Sequence, residues 1–497
     1  MKVKEIIKLM EFSSKEDIDL VSSAFSFAEE AHRDQKRFSG EPYFIHIFET
    51  AITLAELGMS ATTISAGLLH DCLEDGKATQ EELKEKFGKE ILFLVEGTSK
   101  LGKIKYRGVK RHSESLRKLL VAVSQDIRVI IIKLADRLHN MKTLQYVPEH
   151  KQYRIANETL EIYVPIAYRL GIRKLNRELE DLAFPYVYPD NFIKTKKLLK
   201  TRISEDNEKL KKFQRSVIKL LAKKKIIDFR VDYRIKTLYS LFNKLERKDW
   251  NIDKIYDISA MRIIISNADD CYKVLGLIHG MWRPLPGRIK DYIAFPKPNG
   301  YRAIHTTIFT GYGNVVEIQI KDKEMYRESE YGVASHASFK EKKTDKDNFL
   351  WIQRLLPFKF ILNGNNDRKE KNLDDVPVWL KDMVEYQKTI KDGEDIKEDM
   401  KNDFFQQRIF AFTPQGDVVD LPIGSTPIDF AYSIHSDIGN HISEAKVNGK
   451  MTSFDTPLMN GDIIEIITKK NVIPKKKWLS YVKTASAKKH IQASLKK

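Results

Sequence analysis

The chain has 497 residues, 42% of them hydrophobic, with 86 Lys+Arg against 69 Asp+Glu and a formal net charge of +17. So long a chain exceeds one hydrophobic core, which sets an expectation of about three domains, and the apolar share excludes wholesale disorder. The basic surplus favours polyanionic partners such as nucleotides or RNA, while Cys72 and Cys271, the only cysteines, argue against a disulfide framework and a cysteine zinc site.

No apolar run approaches the ~20 residues needed to span a bilayer. The N-terminal "MKVKEIIKLMEFSSKED" turns acidic and polar too soon for a signal peptide, so a cytoplasmic location and no membrane partner are expected. Residues 1 to about 180 read as helix after helix. "SSKEDIDLVSSAFSFAEEAHRDQ" opens with a capping signal, "EPYFIHIFETAITLAELG" runs from an acidic start to a glycine stop, and "TQEELKEKFGKEILFLVEGTS" is similar. The lysine-rich stretch 189–226 repeats apolar residues every three to four positions, as one or two amphipathic helices would. From 227 the character becomes α/β. "DFRVDY", "SAMRIIIS", "HTTIFTGY" and "NVVEIQI" are strand-like, separated by the helical "KTLYSLFNKLERK" and "DDCYKVLGLIHGMW". Residues 341–403 are charged and loop-rich, with short helical stretches at "FLWIQRLLPF" and "VPVWLKDMVEYQ". From about 405, a hairpin in "RIFAFTPQGDVVDLP", a short helix "TPIDFAYSIH" and further strands in "EAKVNGK" and "DIIEIIT" suggest a β-grasp unit.

The chemistry concentrates in two places. In "AGLLHDCLEDG", a helix over 68–75 would set His70, Asp71, Glu74 and Asp75 on one stripe, with Leu69, Cys72 and Leu73 facing away. Such a stripe is costly without a cation. The nearly apolar helix "VIIIKLADRLHNM" holds Asp136 and Asn140 four apart, and "EPYFIHIFE" supplies His46. Buried carboxylates and imidazoles need a partner or a metal. Two imidazoles and two carboxylates suit Mn²⁺, Fe²⁺ or Zn²⁺, which would lower the pKa of bound water. Glu74 and Asp75 would orient or deprotonate that water. The competing reading, a set of satisfied core histidines and an ordinary salt-bridged helix, is weakened by the spread of the set over three helices.

The second place is "WRPLPGRIKDYIAFPKPNGYRAIHTT". Arg283, Arg288, Lys290, Lys297 and Arg302 fall in one Pro/Gly-punctuated loop, a triphosphate clamp with Tyr301 as an aromatic lid. A solvated basic loop is the bland alternative, and the flanking strands weigh against it. Asp257 enters one strand, while Glu317 and Gln319 share a face of another, opposite Val316 and Ile318. Paired carboxylates beside a basic loop fit phosphoryl transfer.

"QKRFSGEPYFIHI", "LLHDCLED" and "IKLADRLHNMKTL" resemble the HD hydrolase domain of the Rel/SpoT family of alarmone synthetase-hydrolases. "IYDISAMRI", "RIKDYIAFPKPNGYRAIHTT", "VEIQI" and "ESEYGVASH" are similar to its nucleotidyltransferase-like synthetase domain, and "FAFTPQGDVVDLPIGSTPIDFAYSIH" to its TGS domain. The resemblance covers nearly all of residues 10–490 and implies a multidomain chain. It sets a (p)ppGpp hydrolase domain at 1–180, a helical linker at 181–226, a synthetase domain at 227–345, a helical, charged linker at 346–403, a TGS domain at 404–470, and the start of a truncated helical region at 471–497.

By residue-by-residue match, the resemblance makes His46, His70, Asp71 and Asp136 ligands of a Mn²⁺ ion, Glu74 and Asp75 the catalytic acidic pair, and Arg37 and Asn140 contacts to substrate. Asp257 would hold Mg²⁺ and Glu317 would activate the 3′-hydroxyl. Arg234 would stack on adenine, Lys236, Ser240, Arg288 and Lys297 would meet phosphates, and Tyr301 would stack on guanine near Asn299 and His305. Lys290 and Gln319 belong to the same expected substrate site, and His435 matches a residue that contacts uncharged tRNA. "RIKD" has the basic form that marks bifunctional members. Departures are Phe38 for Lys, Ile47 for Pro, Arg302 and Ala303 in "YRAIHTT", Lys321 and Asp322 for Arg and Thr, and Ala337 for Trp.

The implied function is a stringent-response enzyme that moves pyrophosphate from ATP to the 3′-hydroxyl of GDP or GTP and also hydrolyses (p)ppGpp. The alternative is a hydrolase with weak or lost synthesis. Antagonistic coupling through 150–226 is expected, because that stretch lies between the sites. The missing later modules speak against stable ribosome binding.

Overall fold

The computed structural model describes residues 2–10, 14–102, 126–226, 228–252, 255, 258–296, 301–311, 315–332, 334, 408–415, 418–459, 461–469 and 471–495. It divides into two compact units, residues 1–346 and 347–497.

The N-terminal half of the first unit is helical, as expected. Its main members are Lys15–Ala31, Phe44–Glu56, Ala61–Leu69, Gln80–Gly102, Ile127–Lys142 and Arg173–Val187. The capping signal is made: Ser14 Oγ accepts from the Asp17 N–H, and the Asp17 carboxylate accepts from the Ser14 N–H. A Cβ at Gly67 would lie 2.3 Å from Leu54 Cδ1, so the Leu54 side chain of helix Phe44–Glu56 fills the space over Gly67 where helix Ala61–Leu69 crosses it. That crossing sets His70, at the end of one helix, beside His46, in the first turn of the other.

The expected helix over 68–75 does not form. Helix Ala61–Leu69 stops before His70, and residues 70–76 are a turn closed by the Asp75 N–H on the Asp71 carbonyl at 2.9 Å, with Gly76 at φ +67°. The Gly67 carbonyl, which a continued helix would offer to the Asp71 amide, accepts from His70 Nδ1 at 2.7 Å. The four ionisable groups therefore do not share a stripe: His70 and Asp71 are buried, Glu74 and Asp75 exposed. Cys72 is buried as well.

Helix Pro189–Lys223 is a single amphipathic helix leading into the α/β region. Among the described residues that region holds a five-stranded sheet of β1 (Arg230–Ile235), β2 (Ser259–Ile265), β3 (Lys290–Asp291), β4 (Ile304–Phe309) and β5 (Val315–Asp322). The order is β1-β2-β5-β4-β3, with β2 and β5 parallel and the other pairs antiparallel. One face carries Met261, Ile263, Ile304, Ile308, Val316, Ile318 and Ile320. They form a core with Val274 and Ile278 of helix Ala268–Met281 and with Phe213, Val217 and Leu221 of the long helix. The register places His305 opposite Gln319 and Thr307 opposite Glu317, so these side chains share the other face.

Helix Arg173–Val187 binds this α/β region directly. Asp181 accepts from the amides of Leu238 (3.3 Å) and Tyr239 (3.0 Å), at the start of helix Leu238–Glu246. Arg177 pairs with Glu330 of helix Lys323–Tyr331. At Gly332, φ is +53° and an added Cβ would lie 2.2 Å from the Leu170 carbonyl oxygen.

In the second unit, β6 (Arg408–Phe412) and β7 (Val418–Pro422) form the expected hairpin, followed by helix Pro427–Ile434. β8 (Ile442–Val447), β9 (Lys450–Thr452) and β10 (Ile464–Thr468) make a sheet in the order β10-β8-β9, joined to the hairpin by a parallel bridge between Phe412 and Ile463. This is the β-grasp arrangement. The helical stretches expected at 349–358 and 376–387 lie outside the described residues.

Candidate functional site

Three of the expected donors meet. Ligand atoms of His46, His70 and Asp136 all lie within 4.8 Å of one another, and all three residues are buried. His46 Nε2 is 3.2 Å from Asp136 Oδ1 and 3.6 Å from Asp71 Oδ2, and His70 Nε2 is 3.1 Å from Asp71 Oδ2. With His70 Nδ1 donating to the Gly67 carbonyl, its buried Nε2 makes no well-formed hydrogen bond and faces the Asp71 carboxylate. A buried imidazole nitrogen turned to a carboxylate is a candidate cation site, and this donor set fits a first-row divalent metal.

The electrostatics agree. Against the penalty of burial, His70 and His46 hold Asp71, and Lys133, His46 and His70 hold Asp136, well below the usual carboxylate range. Despite its burial, His70 is raised to about 9 by Asp71 and then Asp136, so a positive charge at this nitrogen is favoured. A metal there would displace a proton.

A surrounding set orients the donors, and most of it escaped the sequence reading. His46 Nδ1 lies 2.9 Å from His139 Nδ1, which also lies 3.1 Å from Arg37 Nη1. Burial, then His46 and Arg37, push His139 down to about 3, so it stays neutral and accepts from His46. Arg37 Nη2 donates to the Asn140 Oδ1 at 2.5 Å, and Asn140 Nδ2 donates to Asp136 Oδ1. The Tyr43 hydroxyl donates to Asp71 Oδ2 at 2.8 Å, and Lys133 Nζ lies 2.7 Å from Asp136 Oδ2. Gln35 Nε2 donates to Asp75 Oδ2 at 3.3 Å, while burial raises Glu74 above its ordinary carboxylate value. Spacing could have found part of this set. Lys133 and His139 stand three residues either side of Asp136, and Tyr43 stands three before His46, the interval that puts helical residues on one face.

On the sheet, Glu317 Oε1 lies 2.8 Å from His305 Nδ1, and His305 Nε2 lies 2.8 Å from the Tyr301 hydroxyl. Gln319 is buried nearby on the same face. Arg234, on β1, is within electrostatic reach of Arg177, Glu330 and Tyr301, and burial lowers its pKa. Ser240 Oγ lies 3.4 Å from Glu180 Oε2. The Lys236 amide donates to the Ile258 carbonyl at 2.9 Å. Arg288 and Lys290 are exposed before β4. Arg302 does not join them as a clamp, because Glu328 captures its guanidinium at 2.9 and 3.2 Å. Asp322 caps helix Lys323–Tyr331 by accepting from the Met325 amide at 2.7 Å. Asp257, Lys297 and Asn299 lie outside the described residues, as does Ala337. In the second unit His435 is exposed, and its Nδ1 accepts from the Asp437 amide at 3.2 Å.

A helical histidine–aspartate domain, an α/β domain with a polar site face and a β-grasp domain in one chain define a multidomain protein with two separate centres for chemistry. Residues 24–173 match the HD domain, 233–344 the region found in RelA / SpoT proteins, and 409–468 the TGS domain. The chain is 41% identical over 99% of its length to the guanosine-3′,5′-bis(diphosphate) 3′-pyrophosphohydrolase of Aquifex aeolicus. It is 41% identical over 97% to the GTP pyrophosphokinase of Myxococcus xanthus, and 39% identical over 97% to the bifunctional (p)ppGpp synthase/hydrolase SpoT of Escherichia coli. It spans 68%, 61% and 65% of those proteins, respectively. The chain belongs to the RelA/SpoT family. No helix among the described residues is long and apolar enough to cross a membrane.

Proposed function

We infer that this chain is a bifunctional alarmone enzyme that hydrolyses (p)ppGpp at its helical site and makes it from ATP and GDP or GTP at its α/β site. The observation that carries the reading is the buried His46, His70 and Asp136 cluster, whose ligand atoms converge within 4.8 Å, in a chain that also carries the RelA/SpoT region. His46, His70, Asp71 and Asp136 would hold the hydrolytic metal, for which we propose Mn²⁺. Such an ion supplies a water acidic enough to attack near neutral pH. Glu74 and Asp75, exposed at the turn beside the buried donors, would orient the attacking water and take its proton, and Arg37 and Asn140 would hold the nucleotide. At the α/β site Asp257 would hold Mg²⁺, Glu317 takes the proton of the 3′-hydroxyl, and Arg234 and Tyr301 stack the two bases. Lys236, Ser240, Arg288, Lys290 and Lys297 meet phosphates, with Asn299, His305 and Gln319 around the acceptor nucleotide. His435 is the proposed contact to uncharged tRNA, and the cytoplasm is the proposed place of action.

Two incubations test the reading: ATP with GDP and Mg²⁺, and ppGpp with Mn²⁺. ppGpp formation in the first and GDP plus pyrophosphate in the second are expected, and absence of both overturns it. One observation favours a hydrolysis-dominant balance. Asp181 sits on the first amides of helix Leu238–Glu246 and Glu180 on Ser240, so carboxylates of helix Arg173–Val187 stand where the proposed phosphate contacts begin. We propose this contact as the coupling between sites. Nucleotide entering the synthetase site must displace it, which favours a different arrangement of the two domains.

A further inference from the structure

We propose that His305 is a positioning residue that ties the ring of Tyr301 to the carboxylate of Glu317, so that a base stacked on Tyr301 locks the carboxylate in place. The proposal rests on the synthetase reading of this site. Tyr301 enters β4, His305 lies on β4 and Glu317 on β5. Because Thr307 is opposite Glu317 and His305 opposite Gln319, the imidazole is the diagonal neighbour of the carboxylate on one sheet face. The contacts are 2.8 Å from Tyr301 Oη to His305 Nε2 and 2.8 Å from His305 Nδ1 to Glu317 Oε1.

Lys321, buried on β5, places its Nζ 3.5 Å from Tyr301 Oη and 4.8 Å from the ring centroid. One assignment of protons satisfies the whole series. Lys321 donates to the Tyr301 oxygen, Tyr301 donates to Nε2 of a neutral imidazole, and Nδ1–H donates to Glu317. Tyr292 stands edge-on to both rings, at 6.1 Å from Tyr301 and 5.2 Å from His305, and confines them.

A tyrosine needs only its ring to stack on a base. Its hydroxyl serves the imidazole, which in turn fixes the carboxylate rotamer. Ring and carboxylate therefore move together, and the correct acceptor base helps to assemble the group that receives the hydroxyl proton.

The test is steady-state ppGpp synthesis from ATP and GDP by the full chain, its Y301F and H305N variants and the double variant. Y301F keeps the stacking surface and cuts the link, so kcat should fall roughly five- to tenfold while KM for GDP stays within about twofold. H305N should lower kcat by a similar factor, and the double variant should be no worse than the poorer single one. An unchanged kcat in Y301F, or losses that multiply in the double variant, overturns the inference while leaving the synthetase reading intact. No pyrophosphoryl transfer by the unsubstituted chain overturns both.

Discussion

The imidazole of His139 decides how His46 presents itself. By accepting from His46 Nδ1, it leaves Nε2 turned toward Asp71 and Asp136. Removing such an outer partner typically costs 10–100-fold in metal affinity, so H139A should weaken Mn²⁺ binding by a factor in that range, measured by calorimetry. An affinity within twofold of the unsubstituted chain would refute the role. In the β-grasp unit, Asp429 is wholly buried. Its carboxylate accepts from the amides of Thr426 (2.9 Å), Lys483 (2.9 Å) and Thr484 (2.8 Å) and from the Thr484 hydroxyl (2.9 Å). D429A strands those donors and should cost about 2–4 kcal/mol, read from denaturant unfolding of that unit. His46, His70 and Asp136 were legible because ionisable groups inside apolar segments announce a need. Asp429 drew no notice in the sequence, because its bonds to 483 and 484 belong to the tertiary fold.

Helix crossing, more than any side-chain choice, brings the metal donors together. Gly67 lets helix Ala61–Leu69 lie against Leu54, and its carbonyl receives His70. In G67A the added methyl must displace the Leu54 side chain from this contact, at about 1–3 kcal/mol. The variant should show a lowered melting temperature together with weaker Mn²⁺ binding. A lower melting temperature with unchanged metal affinity would separate stability from site geometry. At this scale the sequence misled in an instructive way. The intervals 70/74 and 71/75 suit a helical turn, but they equally suit the turn that forms once His70 takes the Gly67 carbonyl, and nothing local distinguishes the two. By contrast, the alternation in "VVEIQI" correctly put Val316 and Ile318 in the core and Glu317 on the other face. The parallel pairing of β5 with β2 was not legible, since it depends on connections far along the chain.

Across the first unit, helix Arg173–Val187 joins the two chemical centres. Burial and then the neighbouring Asp181 raise Glu180 from 4.5 to about 7. Its folded-state pKa lies above its unfolded one, so its contribution to stability is fully present below about pH 4.5 and is lost as pH rises through about 7. The Glu180 contribution therefore declines over that window, against the rise that neutral His139 gives below about pH 6.5, and E180Q should gain stability relative to the unsubstituted chain as pH rises through it. Matching pH dependences in both chains, followed by chemical denaturation, would exclude Glu180 as the titrating group. The three regions of the chain were legible from composition and periodicity. This joint was not, because Glu180 and Asp181 read as ordinary solvent-facing charges until the α/β region supplies Ser240 and the amides of Leu238 and Tyr239.

The bare backbone contact of Gly332 with Leu170 and Gly171 gives the molecule a natural insertion point for a wedge. A single methyl group placed there occupies space now filled by the Leu170 carbonyl and Gly171. Any side chain at position 332 therefore loads the seam between the helical half and the α/β region, which Arg177 with Glu330 and Asp181 with the amides of Leu238 and Tyr239 otherwise hold closed.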